Sequence, residues 1–373
     1  MKDFMLFVAL FLLFAMEADA QNNVPSDPEA SRMTINLYRN LRKLGGSGYL
    51  VGHQDDLAYG VNWKYQDGNS DIKQVTGDYP ALYGWELGGL EVGGSVNLDG
   101  VPFWKMKNYI KEGYQRGGVI TISWHGSNPM TGKTAWDPAE GTVASILPGG
   151  SKHEAFKMQL DKIAAFLSDL KDSKGNDIPV LFRPFHELSG GWFWWGVKYT
   201  TADEYKRLFR FTVNYLQAKG LHHLLYVYNT GGGFKSPGEF LERYPGDDVV
   251  DVLSFDTYQF KNPQSDFAPE LSSNVDIVER IAAEKGKIAA VAEMGFSQIP
   301  DSLWWTGTVA PALKGHKLSY VLFWRNAGNK PDHTREYYVP YSGHPSEKDF
   351  IKFYKLPETF FGRDVARIKL YRD

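Results

Sequence analysis

The chain has 373 residues, a formal net charge of −3 and no cysteine. It has material for a large buried core, but no disulfide framework and no thiol for metal ligation, redox chemistry or lipid attachment. No basic run is long enough for a nucleic-acid footprint, so no nucleic-acid partner is expected.

Lys2-Asp3, the apolar run 4–16 and the small-residue box Ala18-Asp19-Ala20 have the three-part form of a secretory signal peptide. The run is shorter than a membrane span requires. Cleavage after Ala20 is expected, with no stable membrane insertion, leaving an exported monomer, periplasmic or secreted, made of residues 21–373. Lys2 leaves together with Asp3, Glu17 and Asp19, so the net charge moves to about −1, which suits a neutral partner. Residues 21–29 read as a short flexible lead-in.

Apolar, β-branched or aromatic runs then recur at 49–53, 81–85, 119–124, 179–185, 224–228, 249–255, 288–292 and 320–324. Helical periodicity is clearest at 104–116, 154–170, 201–218 and 275–284. Alternating strands and helices predict a parallel sheet, and continuous apolar strands are covered on both faces. Eight such units predict one α/β domain, a (β/α)8 TIM barrel with its active site at the C-terminal ends of the strands.

Several chemistries have no pattern to support them. Gly88-Gly89, Gly93-Gly94 and Gly231-Gly232-Gly233 lack the spacing and lysine of phosphate-binding loops. His53-Gln54-Asp55-Asp56 offers ligand types, but no His-x-x-x-His pair or cysteine set completes a metal shell. His222-His223 follows a helix end and reads as solvated. No Gly-x-Ser-x-Gly elbow marks a serine nucleophile. No cofactor and no metal are expected.

The strand ends are unusually chemical. The third finishes in Trp124-His125, the fourth in His186-Glu187, the sixth in Asp256-Thr257-Tyr258, the seventh in Glu293 and the eighth in Trp324-Arg325. Glu187 precedes a dense aromatic stretch, Trp192-Phe193-Trp194-Trp195; apolar burial beside such rings disfavours the ionised carboxylate and prepares a proton donor. Aromatic residues form 15% of the chain, with 11 tryptophans, more than a core alone demands, and flat rings stack on the C–H faces of sugars. Glu293 follows Ala290-Val291-Ala292 and needs donors if buried, with Arg183, His186 and Tyr258 as candidates. Two carboxyl groups in contrasting surroundings are what glycoside hydrolysis uses.

Arg183-Pro184-x-His186-Glu187-x-x-Gly190-x-Trp192 and Glu293-x-Gly295-Phe296 resemble glycoside hydrolase family 26. The likeness runs from about residue 38 to 353 and takes in Trp124-His125, Tyr258, Trp324-Arg325 and Tyr338-Val339-Pro340-Tyr341-x-Gly343-His344. His186 stands where most retaining (β/α)8 glycosidases of the wider clan have Asn, as is typical of this family. The resemblance implies a retaining endo-β-1,4-mannanase acting on mannan, galactomannan or glucomannan, with Glu187 as proton donor and base and Glu293 as nucleophile. Arg183 and Tyr258 then support Glu293. Trp324 and Trp192 flank the scissile bond as sugar platforms, and His125, His186 and Arg325 read hydroxyl groups. Trp136, Trp194 and Trp195 are candidates to extend the cleft. A minority of relatives cleave β-1,3-xylan or mixed-linkage β-glucan, and the motif does not choose among these. A non-catalytic glycan-binding barrel is the alternative of a different class, against which the intact carboxyl pair stands.

Overall fold

The computed structural model describes residues 23–329 and 334–373; the expected signal peptide lies outside them. Eight parallel strands pair in chain order: β1 (Tyr49–Gln54), β2 (Leu82–Glu86), β3 (Val119–Trp124), β4 (Val180–Pro184), β5 (Leu224–Gly231), β6 (Val252–Gln259), β7 (Ile288–Phe296) and β8 (Tyr320–Phe323). Strand β8 returns to β1 over Leu50↔Tyr320 to His53↔Phe323, closing the expected (β/α)8 barrel. The main outer helices are α1 (Arg32–Leu44), α2 (Phe103–Gln115), α3 (His153–Ser168), α4 (Ala202–Ala218), α5 (Phe267–Lys285) and α6 (Glu347–Tyr354).

Period-two alternation sorts the strand residues into two apolar clusters. Leu50, Leu82, Leu181, Leu225, Val252 and Leu322 belong to the barrel interior, which Leu37, Tyr38 and Leu41 of α1 close from below. Their neighbours Val51, Tyr83, Ile120, Phe182, Leu253 and Val291 pack outward against the helices. Local sequence supports the helices: Thr201 caps α4 through a reciprocal box with Glu204, and Tyr205, Leu208, Phe209, Val213 and Leu216 form its buried stripe.

Three strands run further than their apolar patterns. β5 continues through Asn229, β6 through Asp256 to Gln259, and β7 through Glu293 to Phe296, because Asp256–Gln259 keep their ladder partners on β7. At its other end β6 begins at Val252 rather than at residue 249. Helix α5 begins at Phe267 rather than near residue 275; Pro269 sits in its first turn, where a missing N–H costs nothing.

The lead-in at residues 23–29 is not loose, contrary to the sequence expectation. Ser26 donates from its backbone N–H (2.6 Å) and hydroxyl (3.1 Å) to the buried Asp251, which also accepts from the Tyr226 N–H at 2.8 Å. Asp27 bonds His222, which stays partly exposed, at 2.9 Å, and His223 is only 2% exposed against the Leu167 carbonyl, so of this histidine pair His223 is packed rather than solvated.

Inside the barrel, Gly52 makes room for its neighbours: a Cβ there would lie 2.6 Å from Leu82 Cδ2 and 2.9 Å from Leu322 Cδ1. Gly52→Ala should therefore overpack the interior and lower stability by about 1–3 kcal/mol in urea unfolding. An unchanged midpoint would show that this layer has slack.

Candidate active site

Above the apolar interior the inward-facing strand positions turn polar: Gln54, Glu86, Ser123, Arg183, Asn229, Asp256 and Glu293, all buried. Glu293 reaches this side through a bulge. Phe255 opposes Val291 and Asp256 opposes Glu293, while on the other edge Val321 opposes Val291 and Phe323 opposes Met294. Ala292 is thus an extra residue on β7, and if the strand ran on through it by strict alternation with no bulge, Glu293 would face the helices.

Arg183 forms the base of the site and is 2% exposed. One guanidinium nitrogen donates to Asp256 Oδ2 at 2.8 Å and another to Glu293 Oε1. The Tyr258 hydroxyl donates to Glu293 Oε2 at 2.8 Å, and Asn229 Nδ2 donates to Asp256 Oδ1 at 2.7 Å. Two of the donors expected for Glu293 are therefore in place. The third, His186, turns elsewhere.

The chain makes a sharp turn where β4 ends. Phe185 and Glu187 are both left-handed, with φ of 52° and 51°, a conformation that costs energy in bulky residues and persists only when neighbours hold it. Four contacts do so. Tyr205 donates to the Phe185 carbonyl (3.1 Å), Trp195 Nε1 to the His186 carbonyl (2.8 Å), the Glu187 N–H to Asn229 Oδ1 (2.9 Å) and Trp192 Nε1 to Glu187 Oε2 (2.8 Å).

The turn brings Glu187 over Glu293. One oxygen from each of Glu187, Asp256 and Glu293 lies within 4.8 Å of the others. A trio of acids can hold a cation, but here the Arg183 guanidinium already bonds two of the three, so the residues present do not make a good metal shell. Burial, and next the negative charge of Glu293, push the Glu187 carboxyl from 4.5 up to about 7, against the Trp192 hydrogen bond and the charges of His125 and Arg183. Burial and the neighbouring acids also raise Asp256, despite Arg183.

A second chain of polar contacts runs along the other wall. Glu86 accepts from the Ser123 hydroxyl (2.6 Å), the His125 N–H (2.7 Å) and His125 Nδ1 (2.8 Å), and His125 Nε2 meets His186 Nε2 at 2.9 Å. Burial opposes the charge on Glu86, but His125 and these donors outweigh it and bring the carboxyl to about 2. The same pairing raises His125 despite its own burial, whereas burial and the positive charges of His125 and Arg183 lower His186 far below 6.5. A cationic His125 donating to a neutral His186 fits both shifts.

The aromatic residues divide by exposure. Trp192 is 47% exposed and walls a groove of about 470 Å³ with Tyr258 and Phe260, floored by Gly190, Gly191, Gly231 and Gly232. Trp136 is half exposed and stacks on His125, centroids 5.0 Å apart. Trp324 lies at the end of β8, its N–H on the Met294 carbonyl at 3.0 Å, with the Arg325 guanidinium 5.9 Å from its ring centre. Arg325 is held by Asp99 and by Glu336 (2.9 Å). Trp194 and Trp195 are fully buried, with Trp194 Nε1 on the Gly126 carbonyl at 2.9 Å, so they support the turn and do not extend the cleft.

Glu86 and Asn229 are central to this geometry and were not singled out from the sequence, nor was Asp256 given a role. Each lies on the strand-end position that exposed the others; Glu86 follows the apolar run ending at Trp85, and Asn229 follows Tyr228.

The sequence matches the family model described as glycosyl hydrolase family 26 over residues 26–335. In structure it is similar to a GH26 β-mannanase from Bacteroides ovatus, with a TM-score of 0.88 and 43% identity over 92% of this chain and 98% of that one. The catalytic domain of a GH26 endo-β-1,4-mannanase from Bacillus sp. JAMB-750 gives 0.86 and 34%, over 94% and 96%. A mannan endo-1,4-β-mannosidase from Bifidobacterium adolescentis is 32% identical over 91% of this chain but 36% of its own length, and one from Thermothelomyces thermophilus is 30% identical over 76% and 54%. The chain thus spans about a third to a half of those two proteins. With a family match over most of its length and a solved relative that superposes on nearly all of it, this chain belongs to glycosyl hydrolase family 26.

Proposed function

We propose that the protein is a retaining endo-β-1,4-mannanase that hydrolyses mannan, galactomannan or glucomannan by double displacement. The observation that carries the reading is the contrast between two facing carboxyl groups. Glu187 keeps its proton up to about pH 7, while Glu293 receives a guanidinium and a phenol hydroxyl. Glu187 protonates the leaving glycosidic oxygen as Glu293 attacks the anomeric carbon, and Glu187 then takes a proton from the water that releases the sugar. Retaining enzymes hold their carboxyl groups roughly 5–5.5 Å apart and inverting ones roughly 6.5–9.5 Å; the approach of single oxygens to within 4.8 Å supports the shorter class.

The names of the similar structures, β-mannanases in both cases, support mannan over β-1,3-xylan or mixed-linkage β-glucan. Trp324 serves as platform for the sugar before the scissile bond and Trp192 for the one after it, with Trp136 extending the wall. His125, His186 and Arg325 read hydroxyl groups. The signal-like segment 1–20 supports export, as a monomer; no helix among the described residues is long and apolar enough to cross a membrane.

Incubation with mannan, β-1,3-xylan and β-glucan should release reducing ends from mannan first, with the β-anomer formed initially by NMR; release from xylan alone, or α-anomer first, would overturn the reading. Glu293→Ala should lower kcat/KM on mannan more than about a thousandfold with the fold intact. Because Glu187 must carry a proton, kcat/KM should fall as pH rises through about 7. The same group makes a stability prediction. Its folded pKa lies above 4.5, so its contribution is full below 4.5 and is lost as pH rises to about 7. Glu187→Gln should remove that decline from the melting temperature; an unchanged slope would place the proton elsewhere.

A further inference from the structure

Beside Trp324, Arg325 is fixed by a ring of buried groups that takes no part in the bond-breaking step. Its guanidinium donates to Glu336 at 2.9 Å and to Asp99, and the Tyr59 hydroxyl lies beside it. Tyr59 in turn donates to Asp55 Oδ2 at 2.5 Å. Asp55 is fully buried and the Asp99 side chain is 7% exposed. The two carboxyl groups lie within hydrogen-bond reach of each other. Yet Asp55 Oδ1 and Asp99 Oδ2 are both buried with no N–H or O–H donor on them among the described residues.

Two ionised carboxylates cannot satisfy each other, because both only accept. Full ionisation would also set Asp55, Asp99 and Glu336 around one guanidinium, a buried excess of negative charge that the interior does not tolerate. A proton between the two orphan oxygens removes both problems. Asp99 takes the Arg325 charge directly, so Asp55 is the member that keeps the proton.

We propose that Asp55 is a positioning residue that stays protonated at neutral pH and donates its proton to Asp99, holding Asp99 and Arg325 in place beside Trp324, where the sugar chain is read. The sugar-reading part rests on the function proposed above; the shared proton does not. The groups facing the pair agree in direction. Burial and the Asp99 charge raise Asp55, against Tyr59 and Arg325; burial and Glu86 raise Asp99, against Arg325, His125 and the Asp55 hydrogen bond; burial and Asp55 raise Tyr65 alongside. Loss of the proton sets a second negative charge against Asp99 and loosens Arg325, so substrate binding weakens while the chemical step changes less.

Asp55 is left-handed (φ 55°), a conformation Asn accepts readily. Asn also reproduces the protonated acid, its NH2 donating to Asp99 and its carbonyl accepting from Tyr59. Infrared difference spectra of wild type against Asp55→Asn at about pH 8 should show a protonated-carboxyl C=O band lost in the variant, with the Glu187 contribution cancelling. On manno-oligosaccharides Asp55→Asn should keep kcat/KM within about threefold and lose any alkaline rise in KM, whereas Asp55→Ala should raise KM about tenfold. No lost band, or an Asp55→Asn variant as impaired as Asp55→Ala, would overturn the proposal. If Asp55→Ala does not fold, the band and the Asn variant still decide. Inactivity of the wild type on mannan would sink the proposed function and leave the band to judge the proton.

Discussion

One buried guanidinium governs the chemistry of this barrel. Arg183 lies at the floor of the cleft, bonded to Asp256 and Glu293, with Glu187 close above them. A guanidinium that bonds two carboxylates leaves the third without a cation in direct contact in a desolvated site, so the group it does not bond keeps its proton. That group is Glu187, to which Arg183 donates no hydrogen bond and whose ionisation burial and Glu293 both resist. The division of labour between two chemically identical side chains therefore comes from where one arginine points. Removing such a buried partner costs about 3–5 kcal/mol because it leaves charge uncompensated, so the same contact also ties the strand ends together.

Backbone geometry makes that arrangement possible. The extra residue at Ala292 turns Glu293 inward, and the left-handed pair Phe185 and Glu187 swings the second carboxyl over it. Both are departures from regular structure, and the second is held by its neighbours, since Tyr205 and Trp195 donate hydrogen bonds to the β4 turn and Asn229 accepts one from it. The aromatic density after Glu187 thus serves two ends. Trp194 and Trp195 brace the turn, while Trp192 reaches the carboxyl and remains half exposed to the groove.

Much of this was legible in the sequence. Eight apolar runs of strand length locate all eight strands, because parallel barrel strands are buried on both faces and carry a strong signal. Polar residues at strand ends do not carry it, so β5, β6 and β7 read shorter than they are and Asn229 fell outside its strand. Helix α5 read short because Pro269, Ser272, Ser273 and Asn274 interrupt the propensity pattern, although tertiary packing of Phe267 and Leu271 keeps that segment helical. The carboxyl pair was found because each closes an apolar run. Glu86 closes the run 81–85 in the same way but has no aromatic stretch after it, and its part in the site shows only in its bonds to His125 and Ser123. Which tryptophans face the groove is a matter of χ angles and neighbours, and spacing alone could not separate Trp192 from Trp194 and Trp195.

The central claim is that burial and the charge of Glu293 keep Glu187 protonated near neutrality. A site-resolved carboxyl titration by 13C NMR, on wild type and on Glu293→Gln, tests it most directly. The wild-type Glu187 resonance should titrate at about 7 and move lower when the Glu293 charge is removed, while remaining above 4.5 because burial is the larger cause. Titration of wild-type Glu187 near 4.5, or no response to Glu293→Gln, would contradict the account.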